Sequence, residues 1–251
     1  MRRAWVLQVR NQALGFVREP AVLVFNLLVP LFIVLIEAVA FGSTDLQAQL
    51  PGYRVVDTLP ALACIMFAMI IGVFGMSVGL ASMIESRTLA GASLRPGGVP
   101  FMVTAYAVVL LVITVIGLTA SIAVLFIGWH IRPPSQPLLV ALIVLLGTTI
   151  MTLLGAWIAG LVGSPRAAQG VASAIFFPML FLSGAIFPID SIPLGLQTLA
   201  KALPGYHMYE LVAALWLVDQ PFPAWSLAYL GVAMLLLVPA IRLSFSRREG
   251  V

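Results

Sequence analysis

Six apolar runs constrain this chain more than any other feature. Each is long enough to cross a bilayer, and none carries more than one charge in its core. The first reads LVFNLLVPLFIVLIEAVAF over residues 23–41. A hydrocarbon core needs about 20 apolar helical residues. The runs predict spans at about 20–41, 58–84, 99–127, 137–163, 167–187 and 222–241. Strands of a membrane barrel alternate apolar and polar residues, whereas these runs are apolar on every face. Helices are then the form that satisfies the backbone in lipid.

Composition agrees. Apolar residues make up 62% of the 251 and charged residues 9%, against roughly 25% charged in a soluble domain. So few charges cannot cover a water-soluble globule, so lipid must cover much of this chain. The formal net charge of +4 is spread between apolar runs and forms no stripe of the kind that nucleic acid requires. No nucleic-acid partner is expected. A single cysteine, Cys64, leaves the redox compartment open.

Positive charge orients the chain. With the N-terminus inside, the cytoplasmic side receives Arg2, Arg3, Arg10, Arg18, Arg87, Arg95, Arg166, Arg242, Arg247 and Arg248, and the outside receives Arg54, Arg132 and Lys201. That ten-to-three split places both termini in the cytoplasm. The first apolar run is too long for the h-region of a cleaved signal. Pro20, Pro100, Pro137 and Pro221 sit at span entries, where a missing N–H costs nothing. Pro30 and Pro178 lie inside spans and predict kinks or local unwinding.

Two segments fall outside the spans. Residues 1–19 gather Trp5, Val6, Val9, Ala13, Phe16 and Val17 near one helical face, the pattern of an interfacial helix lying under the inner leaflet. Residues 188–221 form a long outer connection in which Ile192, Leu196, Leu199, Ala200 and Leu203 recur at helical spacing. This predicts outer interfacial or re-entrant helices, with Tyr206, Tyr209 and Trp216 at headgroup level. The chain reads as one all-α polytopic membrane domain over 1–251.

The chemistry that is missing narrows the function. The one lysine, Lys201, has no glycine loop before it, so no P-loop of the G-x-x-x-x-G-K-[ST] form is present. No H-E-x-x-H, C-x-x-C or G-x-S-x-G occurs. Neither catalytic residues nor metal ligands are assigned. His130 and His207 are far apart and fall in outer segments, where they are expected to pack or meet solvent. Ion-driven pumps place ionisable groups inside the membrane. Here only Glu37 lies within a span, about 25 Å above Pro20 at ~1.5 Å per residue. It is read as an interfacial carboxylate or as a polar group at the outer mouth of a pathway.

The inner loop IESRTLAGASLRPGGVP, residues 84–100, places Glu85, Arg87, Thr88, Leu89, Arg95 and Pro96 around a short apolar stretch. It is either an ordinary loop or a short helix pressed against a cytoplasmic partner. Gly72, Gly75 and Gly79 give the second span a small-residue face for close helix approach, within the subunit or between subunits. Thr148, Thr149 and Thr152 are expected to bond back to their own helix.

With these motifs in place, the whole chain resembles the membrane permeases of the ABC type-2 exporter class. The most specific stretch is FFPMLFLSGAIFPIDSIPLGLQTLAKALPGYHMYELVAALW, residues 176–216. It is similar to the family's fifth span, outer helical hairpin and approach to the sixth span. Arg18-Glu19-Pro20 resembles the family's entry to the first span, and the loop at Glu85 resembles its coupling element. Many members carry Glu followed by Gly-Thr-Leu-Glu. Here Thr88-Leu89 is followed by Ala90, so the second acidic residue is absent.

The resemblance implies a half-transporter. Two six-helix permeases, identical or homologous, pair in the plasma membrane of a prokaryote, and two ABC ATPase subunits dock below. ATP and magnesium bind to the ATPase, and no cofactor binds to this chain. Glu85, Arg87 and Pro96 would be coupling positions, with Thr88, Leu89 and Arg95 beside them. Asn26, Ser77, Phe177 and Ser183 would line the pathway, with Glu37 at its mouth. The substrate would be a lipophilic or amphipathic compound, a lipid or a glycan. The alternatives are an intramembrane lipid-modifying enzyme, built from His130, His207, Glu37 and Asp190, and a passive channel.

Overall fold

The structure is a computed structural model. It describes all residues except 1, 19, 47–51, 94–96, 187–188, 190–191, 218–220 and 250–251, and the backbone alone at 2, 3, 20–23, 25, 93 and 247–249. The described chain is helical almost throughout and contains no strand. One isolated bridge, Asp45 to Arg54, ties the loop after the first predicted span.

In chain order the helices are α1 (Arg2–Arg18), α2 (Pro20–Phe41), α3 (Leu59–Phe67), a π-helical stretch (Ala68–Gly75), α4 (Met76–Glu85), α5 (Thr88–Ser93), α6 (Gly98–Trp129), α7 (Pro137–Val162), α8 (Pro165–Leu182), α9 (Leu194–Ala200), α10 (Pro204–Trp216) and α11 (Ala224–Glu249). A helix stands at each of the six predicted runs. Among the described residues four are long and apolar enough to cross a membrane: Leu59–Glu85, Gly98–Trp129, Pro137–Val162 and Ala224–Ser246. α2 has 22 residues, with Glu37 its one charge. α8 opens on the polar turn Pro165–Gln169 and ends at Leu182, where Gly184 takes a left-handed φ of 85°.

The second span is the axis of the bundle. Of its apolar window, 83% is buried within the subunit, against 11% for α11. α7 lies along it and also packs on α10 and α11. Glycine allows this approach: a Cβ at Gly72 would sit 2.7 Å from Cβ of Met151, and one at Gly155 would sit 2.5 Å from the Gly72 carbonyl oxygen. α2 and α8 run through Pro30 and Pro178 with unbroken helical assignment. The local unwinding lies in the second span instead, where Ala68–Gly75 is a π-helix. A π turn adds a residue to the helical repeat and often marks a functional position.

α6 has 32 residues, about 48 Å at ~1.5 Å per residue. That exceeds a ~30 Å core, so α6 tilts or projects. α1 packs along its first turns: Trp5 Nε1 donates to Thr104 Oγ1 at 3.4 Å, and Phe16 stacks on Tyr106 at 5.7 Å. Trp5, Val9, Ala13 and Phe16 face the bundle in part, while Val6 and Val17 of the predicted stripe are exposed. The two valines lie together on one edge of the stripe, beside the face that packs on α6.

Among the described residues, the connection between α8 and α11 holds two helices, α9 and α10. α10 buries His207, Met208, Leu211, Val212, Leu215 and Trp216 against α7, α3 and α11. Trp216 is buried, with Nε1 donating to the Arg132 carbonyl at 3.1 Å.

Candidate functional site

α4 ends at Glu85, and the chain reverses through Ser86 and Arg87 into α5. The Arg87 amide donates to the Ile84 carbonyl at 3.0 Å, which closes the turn. Arg87 takes φ of 55°, a left-handed backbone without glycine. That conformation costs about 1–2 kcal/mol in an L-residue. The Ser86 and Thr88 hydroxyls lie 2.7 Å apart and lock the turn. The Arg87 carbonyl accepts from the Gly91 amide at 3.1 Å, which starts α5.

α5 has two faces. Leu89 and Ala92 are buried where α5 packs on α6. Glu85, Ser86, Arg87, Thr88, Ala90 and Gly91 are exposed. The loop therefore contains a short helix with one buried and one exposed face. Arg95 and Pro96 lie outside the described residues. α1 and α5 both pack on α6, and α1 meets its first turns through Thr104 and Tyr106. Tyr106 also donates to the Gly75 carbonyl at 2.9 Å, so it joins α1, α6 and the second span. Gly75 and Gly79 face α6: Leu110 lies against Gly75, and the Tyr106 ring fills the space over Gly79.

The five residues read as pathway candidates lie on α2, α4 and α8 or at the end of α8. Asn26 on α2 is buried, and Glu37 on the same helix is half-buried. Ser77 is buried and donates to the Phe74 carbonyl at 3.3 Å. Ser183 is buried, donates to the Leu180 carbonyl at 2.8 Å and accepts from the Ala185 amide at 3.2 Å. Phe177 is 54% exposed, with its ring edge-on to Phe176 at 5.3 Å. None of the five lines either of two cavities. One, about 370 Å³, lies between α6 and α7 above Cys64. The other, about 350 Å³, lies beside α10 and the start of α11. Thr149 and Thr152 bond back to Leu145 and Thr148 as expected, whereas the buried Thr148 hydroxyl has no partner.

The parts considered for an intramembrane enzyme do not converge. His130 caps α6 in a left-handed conformation and is exposed, Glu37 is on α2, and Asp190 lies outside the described residues. His207 meets Ser226 at 2.8 Å through Nδ1, both residues are only 1% exposed, and the Ser226 hydroxyl also meets Glu210. This cluster was not singled out from the sequence. His207 and Glu210 share a face of α10 by their i, i+3 spacing, but Ser226 is 19 residues further on.

Basic residues at the other end of the bundle are held locally. Arg54 pairs with Asp57 at 3.8 Å and donates to the Trp129 carbonyl at 3.2 Å. Arg132 lies 4.9 Å above the Tyr53 ring. Among the described residues no group of His, Cys, Asp and Glu is arranged to hold a metal.

Apolar spans around a buried central helix define a multi-pass helical membrane protein. Residues 3–217 match the family profile described as ABC-2 type transporter, and the chain belongs to that family. It is similar in short stretches to Nodulation protein J of Rhizobium leguminosarum bv. trifolii, 44% identical over 43 residues, and of Rhizobium leguminosarum bv. viciae, 47% identical over 38 residues. Those stretches cover 17% and 15% of this chain, and 16% and 15% of the two relatives.

Proposed function

We propose that this chain is the permease subunit of an ATP-binding cassette exporter, with six spans and both termini in the cytoplasm. α2 and α8 are the two spans beyond the four that length and apolarity identify. Two ATPase subunits dock at the end that carries α1 and α5, and bind ATP and magnesium. A second permease, identical or homologous, completes the pore in a prokaryotic plasma membrane. The cargo is a lipophilic or amphipathic compound, a lipid or a glycan.

The observation that carries this reading is the two-faced α5. Its apolar side is anchored on α6 by Leu89 and Ala92, while Glu85, Arg87 and Thr88 are exposed beside it. A helix anchored in this way transmits force, and its exposed charges offer a grip to a cytoplasmic partner. α1 rests on the same helix and provides a second contact. The second span is wrapped inside the subunit, which leaves exposed faces for the pathway; Phe177 and Phe181 of α8 stand on one.

Co-expression with an ATPase from the same operon tests the proposal. A stable complex is expected, with ATP hydrolysis that responds to the permease. Replacing Glu85 and Arg87 together by alanine should lower that response at least tenfold while leaving insertion and folding intact. Unchanged coupling in the double variant would remove α5 from the transmission.

A further inference from the structure

The cavity of about 350 Å³ beside α10 is lined by Lys201, Tyr206, Glu210 and Trp225, with the more deeply buried His207 and Ser226 behind them. Its volume suits a small ligand group, and the coupling reading makes no use of it.

The cavity lies where α11 enters its apolar run. α11 is the least enclosed of the long apolar helices, with 11% of its window buried. Trp225, in its first turn, is 77% exposed. An exposed tryptophan at the entry of a span marks headgroup level, and the molecules that surround a peripheral helix at that depth are lipids.

The walls are short of hydrogen-bond donors. Nε2 of His207 lies 2.9 Å from the Lys201 carbonyl oxygen. A carbonyl only accepts, so Nε2 carries the ring hydrogen. Burial lowers the His207 pKa, against the Lys201 carbonyl and Glu210, which raise it, and the ring is neutral. Nδ1, 2.8 Å from Ser226 Oγ, is then an acceptor. The Ser226 hydroxyl also meets Glu210 Oε2, and Tyr206 donates to Glu210 Oε1 at 3.2 Å. Three hydrogens, on Nε2, Ser226 and Tyr206, thus serve four acceptors: the Lys201 carbonyl, Nδ1 and the two Glu210 oxygens. If Ser226 serves Glu210, Nδ1 goes without, and His207 is only 1% exposed. An unsatisfied buried polar group costs about 1–3 kcal/mol. If Ser226 serves Nδ1, the acceptor left over is on Glu210, which is half-buried and lines the cavity. A donor in the cavity then completes the set.

We propose that this cavity binds the primary ammonium headgroup of a phospholipid, as in phosphatidylethanolamine. An ammonium N–H donates to Glu210 and supplies the missing hydrogen, and its charge offsets that of the carboxylate. Charge-assisted bonds of this kind are the strong ones. The rings of Trp225 and Tyr206 attract the same cation. Lys201 is exposed beside the cavity and matches the lipid phosphate. Among the described residues neither Lys201 nor Glu210 is held in an ion pair. A trimethylammonium headgroup carries the charge without an N–H, so it leaves the acceptor unserved. Water donates a hydrogen but brings no charge. The site goes beyond the exporter reading and does not depend on it, since it requires only a span in a bilayer.

The test uses the full chain in nanodiscs of phosphatidylethanolamine and phosphatidylcholine with matched acyl chains. Native mass spectrometry after release should show one phosphatidylethanolamine retained per chain. The expected preference over phosphatidylcholine is about tenfold, the ratio for one charge-assisted hydrogen bond. Retention should fall stepwise as the headgroup nitrogen is methylated. Glu210→Gln replaces the carboxylate by an amide that brings its own donor, and should abolish the preference. Soluble phosphoethanolamine should not displace the lipid; displacement would assign the site to a free amine and overturn the lipid source. Retention indifferent to methylation, the same preference in Glu210→Gln, or stronger retention of phosphatidylglycerol also overturns the proposal. If Glu210→Gln does not fold, the methylation series in the parent protein decides alone.

Discussion

Tyr106 joins three elements through one side chain. Its ring stacks on Phe16 of α1, and its hydroxyl donates to the Gly75 carbonyl in the second span. Tyr106→Phe removes only the hydrogen bond and should cost about 1 kcal/mol. Tyr106→Ala also removes the stack and leaves a cavity over Gly79, and should cost about 3–5 kcal/mol. Thermal unfolding of the purified protein in nanodiscs separates the two. Gly72 supports a sharper expectation. A Cβ there would meet Cβ of Met151 at 2.7 Å and the Thr152 amide nitrogen at 3.0 Å, in a crossing made of backbone. Gly72→Val should therefore reduce the folded fraction recovered by size exclusion, by more than the ~1–3 kcal/mol typical of overpacking. Recovery equal to the parent would mean that α7 can move away freely. Of the small-residue face legible in the sequence, Gly72 faces α7, whereas Gly75 and Gly79 face α6. Spacing reveals such a face but not its partner, because any helix with a matching groove can fill it.

At the scale of elements, the turn between α4 and α5 separates folding from coupling. Arg87 occupies a left-handed backbone, so Arg87→Gly should stabilise the turn by up to ~1 kcal/mol and still weaken ATPase stimulation, since the exposed guanidinium is lost. Leu89→Asp acts oppositely. It places a charge in the seam between α5 and α6 and should detach α5, abolishing stimulation while Glu85 and Arg87 remain. Limited proteolysis between residues 86 and 98 reads that detachment. If Leu89→Asp stimulates normally, the anchored face is irrelevant to transmission. The π stretch was not legible. The prolines inside α2, α8 and α11 are a visible reason to unwind, yet Ala68–Gly75 unwinds without a proline. It is packed by α7, α6 and α8, contacts that no local propensity records.

For the whole molecule, the orientation rests on arginine placement and has a direct test. Cys64 is the single cysteine of the chain and is buried, so Cys64→Ala provides a background free of thiols. Ser43 and Ser86 are exposed at turns on either side of the second span. A membrane-impermeant maleimide should label Ser43→Cys in intact cells, and Ser86→Cys only after permeabilisation. Labelling of Ser86→Cys in intact cells would place α5 beyond the reach of any cytoplasmic ATPase. The basic residues assigned to the outside, Arg54 and Arg132, are each engaged by a neighbouring group, which lowers their weight in an orientation set by free positive charge.

The sequence by itself determined the helical class, the place of every apolar run and the family, because hydropathy is a local quantity that sums along the chain and lipid leaves the backbone no other regular form. It also marked the Glu85–Leu89 segment, since charges beside a short apolar stretch between two spans are visible in a line of text. Tertiary structure decided the rest. It placed the second span at the centre and α11 at the periphery, although both are strongly apolar, because burial depends on which helices surround a run. It sent Trp216 inward to the Arg132 carbonyl and gathered His207, Glu210 and Ser226 from two helices into one hydrogen-bonded cluster. Such groupings arise from non-local packing and hydrogen-bond satisfaction, and sequence spacing carries no signal for either.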